Sequence, residues 1–283
     1  MKNIALITDT NSSIPNEIAS QYKITKIPIL IQFGEESYTT GVDIDDAKLF
    51  EMIDDRKVLP TTAAPSPSAF QEAFQKAFQG GADGIICVCC SSEVSATYNA
   101  ALLAAEEFPG KDISVVDSLQ LTLGEGFQVL GAAEALAAGA TKAEALQVID
   151  DIRGKTHVYA ALPTLKYLAM GGRMGKLAAG LADTISIKPI LTIQDGKLEL
   201  LEKIRTWGKA RQRLVHLAEM CTQGKTIKRI GLPHVNNPEG AVSLFDNLRE
   251  TLAIELEPLL CEFSPGLSVH SGAGFIGYVI VTD

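Results

Sequence analysis

The amino-acid sequence predicts an α/β protein of two domains, an N-terminal parallel-sheet α/β domain (1–153) and a C-terminal α+β domain (154–283). Short apolar runs alternate with helical patterns through the first half, as is typical of a parallel sheet covered by helices. From about residue 150 this alternation gives way to a glycine-interrupted amphipathic stretch, a hairpin, a long helix and further strands. The length of 283 residues is sufficient for two compact domains.

The N-terminal elements follow from the apolar runs and the residues that bound them. A strand over Ile4–Thr8 ends at Asp9, and Pro15 stands in the first turn of the helix PNEIASQY. The run IPILIQF is predicted as one strand, and a helix is expected from Ser68. Two more strands, GIICVCC and ISVVD, are each followed by an Ala-rich helix, the first of which is expected to begin near Val94.

Polar side chains follow these strands, and in a parallel sheet ligands gather at the carboxyl ends of the strands. The residues that share this placement are Asp9, Thr10, Ser91, Ser92, Asp117 and Ser118. Their convergence predicts a polar site at this edge of the sheet.

The C-terminal elements begin with two strands, IKPILTI and LELLEKI, joined by Gln194–Lys197, in which Asp195-Gly196 is a strong hairpin signal. A long helix is expected over Trp207–Cys221, followed by the strand IKRIGL. A helix near Ala241–Leu252 and two closing strands complete the predicted domain.

Composition and charge exclude several classes of protein. The net charge of -9 argues against nucleic acid as the main ligand, because phosphate backbones attract basic surfaces. The five cysteines form no C-x-x-C pair, which indicates reduced, buried thiols and argues against a zinc site or a disulfide framework. The apolar run Ile4–Ile7 is too short for a signal peptide, and no run reaches transmembrane length. We therefore expect a cytoplasmic protein with no metal and no cofactor.

Two nucleotide-binding patterns are false positives. GAGFIG (272–277) matches G-x-G-x-x-G, but the chain continues only to Asp283, which leaves no room for the helix that this motif requires. GGRMGK resembles a P-loop, but Met170 replaces its first glycine and Leu177 its Ser or Thr. Neither pattern supports nucleotide binding.

Two hydroxyl clusters and a histidine are candidates for an anion site. Ser91, Ser92 and Ser95 lie near a predicted helix N-terminus, where unpaired N–H groups carry a partial positive charge. One serine alone would be read as an N-cap, but the cluster has more hydroxyls than a cap requires. In PTTAAP the prolines restrain Thr61 and Thr62, although the segment is also consistent with an ordinary turn. His270 precedes closely spaced glycines that allow a ligand to approach, and a structural histidine bonded to a carbonyl is the alternative.

With these segments together, the chain resembles the DegV family of bacterial fatty-acid-binding proteins that serve fatty acid kinases. The matching segments span nearly the whole chain and occur in the family's order: ITDTNSSIP, PTTAAP, CSSEVSATYNAA, VVDS, LKYLAMGGRMGK, IKPILTIQDGKLELLEKIRT and HSGAGFIGYV. Two residues depart from the family's serine motif, since Glu93 and Ala96 stand where glycines are usual. Glu93 brings a negative charge that either tunes head-group binding or points to solvent.

The resemblance implies a two-domain α/β protein that encloses one long-chain fatty acid and presents its carboxylate to a partner fatty acid kinase, which phosphorylates it. The residues that match the family's head-group site are Thr61, Thr62, Ser91, Ser92, Ser95 and His270. Which residue of each adjacent pair contacts the carboxylate stays open. The ranges that match the tail-binding tunnel are Ile27–Phe33, Leu119–Phe127 and Leu165–Leu191, although ordinary core is the default for any single residue there.

Charge is unevenly distributed along the chain. The stretch from Lys166 to Arg213 contains ten basic and four acidic residues, which gives it a net charge of +6 and leaves -15 for the rest of the chain. This stretch is either a solvated surface or a docking face for an acidic partner or an anionic membrane surface. Arg173 and Arg205 lie in family-matching segments, and we expect them to dock the kinase.

Two functions of other classes remain open at the level of sequence. One is a serine-dependent acyl hydrolase with Ser92 or Ser95 as nucleophile, His270 as base and Asp9 or Asp117 as its orienting group. The chain lacks the G-x-S-x-G elbow of such enzymes, which argues against this reading. The other is a carrier of a different anionic metabolite, such as a small sugar phosphate.

Overall fold

A computed structural model describes residues 2–173 and 187–283. The strands are β1 (Ile4–Asp9), β2 (Thr25–Ile27), β3 (Leu30–Phe33), β4 (Glu36–Thr39), β5 (Thr61–Ala63), β6 (Gly84–Cys89), β7 (Ile113–Asp117), β8 (Thr156–Ala161), β9 (Lys188–Gln194), β10 (Lys197–Ile204), β11 (Ile227–His234), β12 (Leu259–Glu262) and β13 (Ile276–Thr282). The helices are α1 (Asn16–Gln21), α2 (Asp46–Arg56), α3 (Pro67–Gln79), α4 (Thr97–Glu106), α5 (Leu123–Ala137), α6 (Lys142–Gly154), α7 (Lys166–Met170), α8 (Trp207–Thr222), α9 (Pro238–Leu252) and α10 (Pro265–Ser271).

The N-terminal half contains the predicted parallel sheet. Its four strands lie in the order β2-β1-β6-β7, and every neighbouring pair is parallel. Side chains alternate between its faces: Leu6 and Ile86 pack beneath α5 and α6, whereas Ile7 and Ile85 pack against α3 and α4. Helices therefore cover both faces, which is the arrangement that near-continuous apolar strands require.

The C-terminal half contains a six-stranded mixed sheet in the order β10-β9-β8-β13-β11-β12, in which only β11 and β12 pair in parallel. Helices α8 and α9 cover its outer face, where Leu214 and Leu244 pack with Tyr278. The inner face is turned towards the N-terminal half, and Val158 and Val279 join the core around α5. Helix α5 thus lies between the two sheets.

A third, antiparallel sheet, β4-β3-β5, is formed by the segment from Leu30 to Ala63 together with α2. Its apolar side chains Ile31 and Leu49 pack against Val269 of α10. The sequence predicted IPILIQF as a single strand, and this was wrong, because the run divides into β2 and β3, which belong to different sheets. Pro28 separates them, since its ring leaves no N–H for a ladder.

The other element predictions agree with the structure, apart from one helix start. Helix α4 begins at Thr97 and not near Val94, because residues 91–96 form turns before it. The predicted domain boundary after residue 153 falls in the last turn of α6, immediately before the first strand of the six-stranded sheet; as a boundary it stays a prediction. No helix in the ranges 2–173 and 187–283 combines the length and apolar character needed to cross a bilayer.

Candidate ligand-binding site

An apolar cavity lies on the inner face of the six-stranded sheet. It has a volume of about 80 Å³. Its walls come from β8, β9, α7, α10 and the segment before α5, and representative lining residues are Ala160, Leu191, Leu168, Leu267 and Leu121. The lining is almost entirely apolar, so this cavity favours a hydrocarbon over a polar ligand.

A second, more polar cavity of about 280 Å³ adjoins the first. The two share lining residues, among them Leu121, Leu267 and His270. The second cavity adds the polar side chains of Thr62, Ser95, Arg173 and Asn11. An apolar chamber therefore continues into a chamber lined by hydroxyls, an imidazole and a guanidinium group.

One hydrogen-bonded pair in the polar cavity joins residues 208 positions apart in the sequence. His270 Nε2 lies 3.0 Å from Thr62 Oγ1, while His270 Nδ1 is buried and has no hydrogen-bond partner among the described residues. Thr62 comes from β5 and His270 from the last turn of α10. Of the adjacent threonines, Thr62 lines the cavity, whereas Thr61 is exposed because successive strand residues face opposite sides.

Burial sets the charge of this histidine. Desolvation, followed by the positive charge of Arg173, lowers the pKa of His270 to about 4. The imidazole is therefore neutral at pH 7, and one ring nitrogen is a donor while the other is an acceptor. An incoming carboxylate would offset the nearby positive charge and could accept the imidazole hydrogen.

The serine cluster divides into three different roles. Ser91 is fully buried, and its hydroxyl donates to the carbonyl of Gly196 in the β9–β10 turn at 2.7 Å. Ser92 lines a surface groove and donates its backbone N–H to the Asp117 carboxylate at 3.2 Å. Ser95 alone among the three lines the polar cavity, where its hydroxyl lies 2.8 Å from that of Thr97. The structure thus brings Thr62, Ser95 and His270 together, but not Thr61, Ser91 or Ser92.

The polar residues at the strand ends mostly hold loops in place. Asp9 accepts the backbone N–H groups of Asn11 at 2.8 Å and Cys90 at 2.9 Å. These bonds connect the end of β1 to the serine segment, and Asn11 in turn accepts the hydroxyl of Ser264, next to α10, at 3.2 Å. Asp9 therefore positions both segments that border the polar cavity, without lining it.

Asp9 also belongs to a cluster whose residue types could ligate a metal. Donor atoms of Asp9, Cys90 and Glu125 all lie within 4.8 Å of one another, and all three residues are fully buried. Desolvation raises the pKa of Asp9 to about 6 and that of Glu125 well above its usual value, and Glu125 already accepts the Thr8 hydroxyl at 2.8 Å. Burial also raises the pKa of the Cys90 thiol, which opposes formation of the thiolate that metals bind. The cluster is better suited to sharing a proton between its carboxyl groups than to binding a cation.

Arg173 lies at the polar cavity and also lines the surface groove, although the sequence assigned it to a docking surface. Its guanidinium donates to the carbonyl of Gly171 at 2.7 Å. Its place at the cavity was not predictable from the sequence, because the glycines around it show no helical or strand period from which the direction of the side chain could be inferred. Arg205 is exposed at the end of β10. Residues 174–186 lie outside the described part of the chain. They include Lys176 and Asp183 of the charged stretch and part of the predicted tunnel range Leu165–Leu191.

The surface groove connects the polar cavity to the exterior. It has a volume of about 970 Å³ and runs between the serine segment and the β9–β10 hairpin. Ser95 and Arg173 line both the groove and the polar cavity. At its rim, Lys197 Nζ lies 3.5 Å from Glu93 Oε2, so the unusual Glu93 forms a surface ion pair.

The hydrolase reading requires a serine–histidine–carboxylate relay, and the geometry does not provide one. His270 Nε2 contacts Thr62, and its Nδ1 atom has no carboxylate partner in the described part of the chain. Asp117 accepts backbone N–H groups from Ser92 and Leu119. Neither predicted orienting group contacts the imidazole, so the residues proposed for this reading do not assemble into a triad.

Comparison with known proteins gives matches over the full length of the chain. A family model named DegV, described as an uncharacterised protein family, matches residues 3–283. A DegV domain-containing protein of Streptomyces coelicolor, SCO2569, is 32% identical over 279 residues, covering 99% of this chain and 98% of that protein.

Solved structures show the same fold. A DegV family protein from Thermus thermophilus, for which fatty acid binding is described, superposes with a TM-score of 0.91 at 26% identity, covering 99% of this chain and all (100%) of that one. DegV of Bacillus subtilis, a fatty acid binding protein, gives a TM-score of 0.90 at 26% identity with 100% of both chains covered. The chain belongs to the DegV family, as its sequence motifs indicated.

Proposed function

We propose that this DegV family protein binds one long-chain fatty acid, with its tail in the apolar cavity and its carboxylate among Thr62, Ser95, His270 and Arg173. The observation that carries the proposal is the Thr62–His270 pair, 3.0 Å apart, at the junction of an apolar and a polar cavity. Relatives of the same fold that bind fatty acids support this choice of ligand. Thr61, Ser91 and Ser92, the other matches to the family site, then act indirectly.

The tail supplies most of the affinity in this proposal. Burial of a bare carboxylate costs several kcal/mol, and each charge-assisted hydrogen bond returns roughly 1–3 kcal/mol, so the head group is close to neutral in net free energy. A tail of ~15 methylenes contributes at most about 12 kcal/mol at ~0.8 kcal/mol each. The polar groups therefore fix the orientation of the ligand, and the hydrocarbon sets how tightly it is held.

Tail binding must also enlarge the apolar cavity. Its volume of about 80 Å³ is below the roughly 300–1,000 Å³ of most small-molecule sites. We infer that side chains along the inner face of the six-stranded sheet change rotamer when the chain enters. The affinity for a series of fatty acids will then rise with each methylene by less than the full transfer free energy, because displacing these side chains costs part of it.

The same arrangement supports presentation of the carboxylate to a fatty acid kinase. Ser95 and Arg173 line both the internal cavity and the surface groove, so a head group beside them is accessible from outside. Lys197 and Arg205 place positive charge on the hairpin, where an acidic partner surface or an anionic membrane would meet it, while Glu93, Asp195 and Glu199 also line the groove. The cysteines are free thiols, which supports a reducing compartment such as the cytoplasm.

Lipid extraction and native mass spectrometry of the full chain purified from cells test the binding proposal. We expect a single co-purified long-chain fatty acid per protein. Consistent recovery of protein without lipid, combined with no uptake of added palmitate or oleate, would contradict it. A co-purified phosphorylated metabolite would instead favour the alternative carrier function.

A matched pair of serine variants tests presentation. Ser95→Ala removes a hydroxyl from the polar cavity, whereas Ser92→Ala removes one that lines only the groove. With a fatty acid kinase and ATP, we expect Ser95→Ala to lower the rate of acyl-phosphate formation about tenfold or more, and to change lipid retention less than tenfold. An unchanged rate for Ser95→Ala, or loss of lipid equal to loss of rate, would contradict the assigned division between head group and tail.

A further inference from the structure

Helix α10 carries His270 and makes contacts on two sides. Leu267, His270 and Ser271 line the cavities. On the other side, Val269 packs into the small core of the β4-β3-β5 sheet and α2. The helix has seven residues and no side-chain N-cap, so its position depends on these lateral contacts. Whatever holds the far side of α10 also fixes the imidazole in the site.

Within the described part of the chain, one side-chain hydrogen bond joins α10 to α2. Ser268 Oγ lies 2.6 Å from Asp46 Oδ2 in the first turn of α2, and both residues are almost fully buried. The second carboxyl oxygen, Asp46 Oδ1, is buried and has no hydrogen-bond partner among residues 2–173 and 187–283. An ionised carboxylate with one hydrogen bond in such a place is poorly solvated.

The charges near Asp46 oppose its ionisation as well. Asp45, which caps α2, and Glu262 of β12 both face it with negative charge. On α10 the titratable group is His270, which is neutral, and on β4 Glu36 is paired with Arg56. Lys48 donates to the Asp43 carbonyl. Desolvation, only partly offset by Ser268, raises the pKa of Asp46 to about 7.

We propose that Asp46 is a positioning residue for His270: its protonated carboxyl group holds α10 against α2 through Ser268, and loss of that proton loosens α10 and weakens retention of the fatty acid. This proposal rests on the fatty acid binding proposed above. An ionised Asp46 gains solvation if α10 moves away and admits water, and that movement withdraws His270 from Thr62. The protonation state of Asp46 thus determines how firmly α10 holds His270 in the head-group site.

The direction of the pH dependence follows from the raised pKa. While α10 is packed against α2, Asp46 keeps a proton that a solvated Asp46 would release near its ordinary pKa of 3.8. The contact is therefore strongest in acid. Its contribution decreases as the pH rises from about 4, and the loss is complete above a pH of about 7. Release of the fatty acid should therefore become faster up to about neutral pH and then level off.

The test measures the dissociation rate of cis-parinaric acid, a fluorescent fatty acid, from the full chain between pH 5 and pH 8.5. The wild type is compared with Asp46→Asn, a neutral amide of the same size. Asp55→Asn is the matched control, since Asp55 is exposed on the same helix. We expect the ratio of wild-type to Asp46→Asn rates to rise about tenfold or more between pH 5 and pH 7.5, and Asp55→Asn to follow the wild type. Titration of the ligand and of His270 is common to all three proteins and cancels in this ratio.

Ser268→Ala separates the hydrogen bond from the charge. This variant should release the probe faster than the wild type even at pH 5, because its α10 has lost the bond at every pH. Thermal unfolding experiments check that the wild type and Asp46→Asn are both folded. If their dissociation rates then depend on pH in the same way, the positioning role is overturned, while fatty acid binding is left intact. If the wild type binds no probe at any pH, both the proposed function and this role of Asp46 fail.

Discussion

The two sheets on either side of α5 differ in how they border the ligand site. The four-stranded parallel sheet is covered by helices on both faces, and its polar strand ends hold loops around the polar cavity. The six-stranded sheet has helices on its outer face, while its inner face lines the apolar cavity. In the function proposed above, the parallel sheet supports the head-group site through the loops at its edge, and the six-stranded sheet holds the tail against its inner face.

The largest effect is expected from filling the apolar cavity. Ala160 lies on the inner face of β8 and lines the apolar cavity. The ring of Ala160→Phe would take the space of about four methylenes of the tail. At ~0.8 kcal/mol per methylene this costs about 3 kcal/mol of binding, or roughly a 100-fold weaker Kd for palmitate. The same substitution at the exposed Ala143 on α6 is the control and should leave the Kd unchanged. Titration with a fluorescent fatty acid measures the Kd, and thermal unfolding measures the stability of each variant. Equal Kd values for the two variants would show that the tail does not bind against the inner face of β8.

A smaller effect is expected from the buried carboxyl groups of the parallel sheet. Glu125 and Asp9 both have raised pKa values because they are desolvated, so the folded state holds protons that the unfolded chain releases. The free energy of unfolding should fall as the pH rises from about 4.5, through the Asp9 pKa of about 6. Glu125→Gln removes one of these protons and should flatten the slope by up to about 1.4 kcal/mol per pH unit.

Urea unfolding at pH 5, 6 and 7 measures this slope. Glu106→Gln on α4 is the control, since Glu106 is exposed and its substitution should leave the slope unchanged. If Glu125→Gln and the wild type lose stability in parallel as the pH rises, Glu125 is ionised in the folded protein and the shared-proton interpretation is wrong.

How far the sequence predicts this arrangement depends on how local the determining physics is. Apolar periodicity and the Asp195-Gly196 turn signal are local, and they correctly predicted β1, β6 and β7 of the parallel sheet and the β9–β10 hairpin, but not the three-stranded sheet β4-β3-β5. The motifs also led to Thr62, Ser95 and His270, which the fold brings to one cavity.

The choices that failed or stayed open depend on tertiary context. Strand alternation separates Thr62 from Thr61, but its phase is fixed only when β5 pairs with β3. The turns of residues 91–96 move the start of α4 to Thr97, and Gly196 binds the hydroxyl of Ser91 from 105 residues away. Arg173 and Asp46 have their importance only because other segments bury or surround them. Their sequence neighbourhoods resemble a surface loop and a helix cap.

The β9–β10 turn of the six-stranded sheet contacts the serine segment that follows the parallel sheet, through the bond between Gly196 and Ser91. Substitution of Gly196 tests this contact. Gly196 has φ of +79°, and an added Cβ would lie 2.6 Å from Ser91 Oγ. Gly34, in the β3–β4 turn, has φ of +63° with nothing within 4 Å of an added Cβ, so Gly34→Ala reports backbone strain alone. We expect Gly196→Ala to destabilise the protein by about 1–2 kcal/mol more than Gly34→Ala in urea unfolding, and also to speed release of the fatty acid. Equal costs for the two substitutions would show that the Ser91 contact adds nothing.

The smallest effect is expected from the ion pair that joins the same two segments at the surface. Glu93 and Lys197 are 3.5 Å apart, and their side chains are 43% and 61% exposed, so solvent and salt screen the attraction. A double-mutant cycle with Glu93→Gln and Lys197→Met should give a coupling of less than about 0.5 kcal/mol, which disappears in 1 M salt. Because Glu93 also places a negative charge at the groove, Glu93→Gln should raise the rate of a partner kinase more at low salt than at high salt if the kinase presents acidic residues there. A coupling above about 1 kcal/mol that persists in 1 M salt would mean that the surface ion pair is the main connection between the serine segment and the β9–β10 hairpin. The buried Ser91–Gly196 bond would then be the weaker of the two.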